Sequence, residues 1–192
     1  MKKIIMLMTA VFMLFGCNER AQAQSKTTSK ALIVYYSHTG NVSKVAEQIK
    51  TQLTAQKISV DVFEIKTVNA YPKTYQATVD QVKQEKAKNF KPPIVGKVAN
   101  WDSYDVVFVG TPVWYQSAAL PVLSFLAQYD FSNKTVIPFC TYISSGIGNV
   151  SKDISASSAK SKSLETLGVR ESDMNNVRSI VSTWLRKIGI VK

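Results

Sequence analysis

The stretch Ala31-Leu32-Ile33-Val34-Tyr35-Tyr36-Ser37-His38-Thr39-Gly40-Asn41-Val42 constrains this chain more than any other. An apolar, β-branched run stops at a small, hydroxyl-rich turn. A helical pattern then starts at once, with Val42, Val45, Ala46, Ile49 and Leu53 on one face. The spacing predicts a strand, a tight loop and a helix N-terminus in direct succession. Such a helix end offers free backbone N–H groups and the positive pole of its dipole, and so attracts a phosphate. Ser37 and Thr39 add hydroxyls, Asn41 an amide, and Gly40 the backbone freedom for a close approach. There is no Walker-type Lys and no Gly-x-Gly-x-x-Gly spacing, so the loop suits one terminal phosphate monoester better than a triphosphate or a pyrophosphate.

Strand-like and helix-like segments alternate along the rest of the chain. Strands are expected at Ala31 to Tyr36, Ile58 to Ile65, Asp105 to Gly110, Lys134 to Cys140 and, more briefly, Leu167 to Arg170. Helices are expected from Val42 to Leu53, over the loose polar pattern from Tyr71 to Lys88, and after Pro121. The Ser- and Lys-rich segment Ser151 to Ser163 reads as a poorly patterned surface helix. The last helix carries Val177, Ile180, Val181, Trp184, Leu185 and Ile188 on one face. This alternation over a single domain, residues 30–192, predicts an α/β fold with a doubly wound, mostly parallel sheet flanked by helices. Ligands of such sheets lie beyond the carboxyl ends of the strands, at the switch point. The loops 37–42, 111–117 and 141–148 all follow expected strands directly, so they converge on one edge.

The N-terminal residues read differently. Lys2 and Lys3 precede an apolar run, Ile4 to Phe15, that is too short to span a bilayer and has the form of a secretory signal, so residues 1–23 are expected to be a signal peptide with the start of a polar tether. Two exits are visible. Leu14-Phe15-Gly16-Cys17 resembles the lipobox of bacterial lipoproteins, whose Cys is lipidated, whereas Ala21-Gln22-Ala23 is an A-x-A site that would release a soluble protein. Either exit implies export by the Sec route to the cell envelope, lipid-anchored at Cys17 or periplasmic. Residues 18–29 continue as the tether. Apart from Cys17, Cys140 is the sole thiol, so no disulfide framework is available and packing must hold the domain. The formal net charge is +11. Its Lys residues are scattered among polar neighbours without Arg–aromatic interleaving, which describes a solvated surface and not a nucleic-acid face. Attraction to anionic lipid is the second reading.

Three motifs carry a family resemblance. Ser37-His38-Thr39-Gly40-Asn41-Val42 resembles the S/T-x-T-G-x-T phosphate loop of the flavodoxin family, with Val42 in place of the last Thr. Gly110-Thr111-Pro112-Val113-Trp114-Tyr115 resembles the loop that lays an aromatic ring on the isoalloxazine. Pro138-Phe139-Cys140-Thr141-Tyr142-Ile143-Ser144-Ser145-Gly146-Ile147-Gly148 resembles the third flavin loop. With all three in order, the chain is similar to the short bacterial flavodoxin and FMN reductase-like branch. The resemblance implies a five-stranded parallel sheet in order 2-1-3-4-5, itself a type case of the switch-point rule, and FMN as cofactor. It places Ser37, His38, Thr39, Gly40, Asn41 and Val42 around the phosphate. It places Thr111, Pro112, Val113, Trp114 and Tyr115 on one side of the ring, and Thr141, Tyr142, Ser145, Gly146 and Gly148 on the other. Trp114 is the expected stacking ring. His38, the only His, sits at the motif's variable position and at the phosphate end, away from acid–base chemistry. Cys140 reads as a small buried residue, since no His or cationic cluster adjoins it in sequence. No side chain is assigned a catalytic role, and no metal site is expected.

Two departures from the family bear on the chemistry. Many flavodoxins carry a Gly beside the stacking aromatic, where a peptide flips towards the flavin in its one-electron state. Thr111 to Pro121 contains no Gly, and φ > 0 costs a non-Gly residue about 1 kcal/mol or more. The segments 111–129 and 141–152 also lack Asp and Glu. Each acid absent at about 10 Å removes on the order of 1–2 kcal/mol of repulsion from a reduced, anionic flavin. Both features favour paired electrons. The expected function is FMN-dependent two-electron reduction of a small acceptor such as a quinone. The alternatives are an envelope electron-transfer protein serving a protein partner, and a flavin-free binding module on the same fold. No motif identifies the electron donor.

Overall fold

The β-branched run from Ala31 forms β1 (Ala31–Tyr35), which pairs in parallel with β2 (Val60–Glu64) on one side and β5 (Val106–Trp114) on the other. The computed structural model describes residues 30–192, so the signal, the tether and Cys17 lie outside the described residues. Between β1 and β2 runs α1 (Asn41–Ala55), and between β2 and β5 come β3 (Lys66–Thr67), α2 (Tyr75–Ala87) and β4 (Ile94–Val95). After β5 the chain forms β6 (Ser117–Ala118), α3 (Leu120–Leu126), β7 (Thr135–Tyr142), α4 (Val150–Ser157), β8 (Lys162–Ser163) and β9 (Leu167–Arg170). A 3-10 turn over Glu171–Asn176 leads into α5 (Val177–Lys187).

The sheet runs β2-β1-β5-β7, and both β8 and β9 pair with the outer edge of β7. Taken as one interrupted edge strand, they give the expected parallel order 2-1-3-4-5. The interruption has a local counterpart. β8 pairs with Thr135 and Val136 and β9 with Phe139 to Tyr142, so the unpaired stretch is Ile137-Pro138, and Pro138 has no N–H to offer an edge partner. Alternate residues of each strand feed opposite faces. Leu32, Val34, Val107 and Val109 pack with Phe125 of α3 and Ile154 of α4, while Ile33, Phe108 and Phe139 pack with Ile49 of α1 and Leu185 of α5. The direction of winding reverses between β1 and β5, and the crevice opens there.

Two local expectations are corrected. The segment 111–117 is not a loop. β5 continues to Trp114, turns through Tyr115-Gln116 and returns as β6, with Val113 opposite Ala118 and Trp114 opposite Ser117. Tyr115 and Gln116 both have positive φ, 48° and 61°, the signature of a two-residue type I′ hairpin built without Gly. Helix α4 ends at Ser157, and Lys162–Ser163 is drawn into the sheet as β8.

Candidate cofactor site

The cradle at the start of α1 is held by short-range bonds. Gly40 caps the helix with φ +92°, a conformation L side chains rarely adopt. Ser37 Oγ accepts the Ser43 amide at 3.3 Å, and Ser43 Oγ donates to the Gly40 carbonyl at 2.7 Å. The Lys44 amide closes the first turn on the same carbonyl. The amides of Asn41 and Val42 have no backbone acceptor among the described residues and remain free for a ligand. The Val42 side chain is buried in the core, so this residue offers its backbone alone. The Asn41 amide group is already engaged: its Nδ2 donates to Glu171 Oε1 at 3.0 Å.

The opposite end is aromatic. Trp114 stands edge-on to Tyr71 at 4.9 Å, Tyr36 at 5.5 Å and His38 at 5.7 Å between ring centroids. Tyr71 donates its hydroxyl to Glu85 Oε2 at 2.5 Å, and Gln81 donates to the other oxygen of that buried carboxylate at 2.8 Å. Burial, with Glu85 nearby, pushes the Tyr36 and Tyr71 hydroxyls well above the usual tyrosine range. His38 is therefore not confined to the phosphate end; it bridges towards the aromatic wall. Its Nε2 lies 3.3 Å from Thr78 Oγ1, whose single proton points to the carbonyls of Pro72 (2.8 Å) and Thr74 (3.0 Å). Thr78 thus accepts from His38, which places a proton on Nε2.

The strained turn at Tyr115-Gln116 is pinned from three sides. Lys86 Nζ donates to the Tyr115 carbonyl at 3.4 Å and to Ser117 Oγ at 3.0 Å, while Tyr115 donates its hydroxyl to the Val79 carbonyl at 3.2 Å. The Asn149 amide donates to the Gln116 carbonyl at 2.6 Å. Gly148, at φ +53°, lets that carbonyl approach: a Cβ there would lie 2.4 Å from it. Rotating either peptide would break these bonds. The cost of positive φ is roughly 1–2 kcal/mol per residue, which the surrounding contacts must offset.

One cavity of about 540 Å³ joins the two ends. Of the residues named from sequence, His38, Thr39, Asn41, Pro112, Val113, Trp114, Tyr115, Thr141, Tyr142 and Ser145 line it. Ser37 and Gly40 shape the cradle behind the wall. Thr111 is buried, accepting the Ala119 amide at 2.8 Å, and Gly148 seats the turn. Gly146, at φ +67°, is absent from the lining. Sequence reasoning missed the α2 side (Lys73, Tyr75, Thr78, Val79 and Val82) and also Gln116, Ile143, Ser144 and Glu171. The helical spacing of Tyr75, Val79 and Val82 was the available signal for α2. Position directly after the last strand was the signal for Glu171.

The acid-free reading of the site is also corrected. Glu171 reaches the cradle from β9's end, and Glu85 binds the hydroxyl of Tyr71, whose ring packs on Trp114. Cys140 is fully buried, and desolvation pushes its thiol up to about 12, so it is no nucleophile at neutral pH. No cluster of His, Cys, Asp and Glu suited to a metal occurs among the described residues. Free helix-end amides at one end and an aromatic, largely apolar wall at the other fit a ligand with a terminal phosphate and a flat ring system.

Comparison with known proteins agrees with this geometry. The flavodoxin family profile matches residues 30–187. A solved structure from Bacteroides eggerthii, described as a flavoprotein, is 27% identical with a TM-score of 0.70, over 85% of this chain and 99% of that one. A Lactobacillus acidophilus flavoprotein solved in complex with FMN shares the fold at 22% identity and a TM-score of 0.62, over 77% and 97% of the two chains. An NAD(P)H dehydrogenase (quinone) from Cupriavidus metallidurans is 31% identical over 100 residues, 52% of this chain and 46% of that protein. The chain thus spans about half the length of that curated relative. With the profile covering nearly the whole described domain, the chain belongs to the flavodoxin family.

Proposed function

We propose that this protein is an FMN-dependent oxidoreductase that delivers two electrons to a small acceptor such as a quinone. The observation that carries this reading is the single cavity joining the free amides at the start of α1 to the Trp114 wall. The amides of Asn41 and Val42 and the Thr39 hydroxyl would hold the phosphate; Trp114, Tyr115 and Tyr142 would enclose the ring and exclude water. When bound, FMN supplies hydride or two-electron chemistry. The protein's part is to bind, orient and tune. The pinned Tyr115-Gln116 turn supports the two-electron reading, because its two carbonyls are already committed to Lys86 and Asn149. Limited similarity to an NAD(P)H dehydrogenase (quinone) supports a small quinone-type acceptor.

Export belongs to the same proposal: the protein works in the cell envelope, anchored through a lipidated Cys17 or released after Ala23. The test is to isolate the mature protein from the envelope, record its visible spectrum, quantify released flavin and weigh its N-terminus. A yellow protein that reduces a quinone faster than it reduces a one-electron protein acceptor is the expected result. Faster reduction of the protein acceptor would favour the electron-carrier alternative. A colourless protein that also fails to bind added FMN would sink both redox readings.

A further inference from the structure

Glu171 opens the 3-10 turn after β9, yet its carboxylate accepts Asn41 Nδ2 at 3.0 Å, 130 residues away in the chain. Both residues line the cavity. Asn41 is the first residue of α1, so this carboxylate stands beside the positive end of the helix, where an incoming phosphate would be drawn. It forms no ion pair among the described residues, although Lys73 lines the same cavity. The ion pairs among the described residues are Lys30–Asp61, Lys66–Glu64 and Lys187–Glu165. The adjacent Arg170 is turned to the Ile143 carbonyl at 3.1 Å.

We propose that Glu171 is a specificity-determining residue of the cradle: a built-in anion that competes with the ligand's phosphate for the start of α1. The inference rests on the FMN reading above. A phosphate monoester, carrying close to two negative charges at neutral pH, must displace the carboxylate from Asn41 or settle beside it. Either outcome opposes binding. A flavin without a phosphate meets no such opposition, because Glu171 keeps its bond while the ring occupies the aromatic end. Glu171 therefore sets the preference between phosphorylated and unphosphorylated flavin, and narrows it.

Glu171 is exposed, so substitution there leaves the core intact. The test titrates FMN and riboflavin into the flavin-free protein, following flavin fluorescence, for wild type, Glu171→Gln and Glu171→Ala. Removing the charge is expected to tighten FMN about three- to tenfold and riboflavin by less than about twofold. The difference should shrink in about 1 M salt, where exposed charges are screened within about 3 Å. An unchanged FMN-to-riboflavin ratio in both variants, or FMN binding weakened by the Gln substitution, overturns the role of Glu171 and leaves the FMN reading standing. FMN binding to none of the three proteins overturns that reading and the competition with it.

Discussion

The cradle at the start of α1 closes on hydrogen bonds among residues 37–44, whereas the aromatic end draws Tyr36, Tyr71, Glu85, Trp114 and Gly148 from separate segments. A helix N-terminus creates its own anion site as soon as it forms, since the free amides follow from the geometry of the first turn. The aromatic end has no such local origin. It contains buried hydroxyls, a buried carboxylate and two residues at positive φ, each tolerable only while its neighbours stay in place. Perturbations of equal chemical size should therefore cost more at the aromatic end.

Alkaline pH is the largest expected probe of that contrast. The folded Cys140 thiol is raised from 9.0 to about 12, so its contribution is whole below pH 9 and is lost as the pH rises through about 12. This amounts to about 3 kcal/mol by pH 11. Tyr36 and Tyr71 are also raised, from 10.0, and act in the same direction at higher pH. Urea midpoints measured from pH 8 to 11 should fall steeply for wild type and less for Cys140→Ala. Equal slopes would remove Cys140 from the account. The cradle contains no such group, so Ser37→Ala should leave the slope unchanged.

Gly148→Ala comes next. Its Cβ would lie 2.4 Å from the Gln116 carbonyl at φ +53°, and the turn must shift. The expected loss is about 2–3 kcal/mol in thermal or chemical unfolding, together with weakened FMN binding. A variant of wild-type stability would show that the turn is freer than its bonds suggest. Thr78→Val should cost about 1–2 kcal/mol by removing the hydroxyl that serves Pro72, Thr74 and His38. Because His38 is the only His, its ¹⁵N resonances report the exchange directly: wild type should show Nε2–H, and the variant a mixture. A mixture already present in wild type would count against Thr78 as the orienting partner. Ser37→Ala is the smallest, about 1 kcal/mol, as expected for loss of one capping-type bond to the Ser43 amide.

The cradle was legible in sequence because it is local: Ser37, Gly40 and Asn41 carry their roles within one turn of chain. The doubly wound parallel sheet was legible for a similar reason, since strands and helices alternate along the chain, whereas its order 2-1-3-4-5 was implied by the family resemblance of the three loops. The end of β5 was not. Thr111 and Pro112 look like loop residues, yet they pair with Cys140 and Thr141 because the partner strand β7 extends equally far. The missing Gly in 111–121 was visible, but positive φ at Tyr115 and Gln116 was not, since it is tolerated through bonds from α2 and Asn149. The acid-free loops were read correctly as sequence and misled as electrostatics, because charge is set by distance in space.

Sequence alone determined what depends on neighbours a few residues apart: the period of the principal strands and helices, the turn chemistry at Gly40, and the amides left free at the start of α1. Tertiary structure alone decided which distant groups face those amides and that ring. Packing of the helices on the two faces of the sheet brings Glu85 to Tyr71 beside Trp114, while the chain leaving β9 carries Glu171 to Asn41. Electrostatic and hydrogen-bonding energies act over ångströms in space, and no periodicity along the chain encodes a separation of 130 residues.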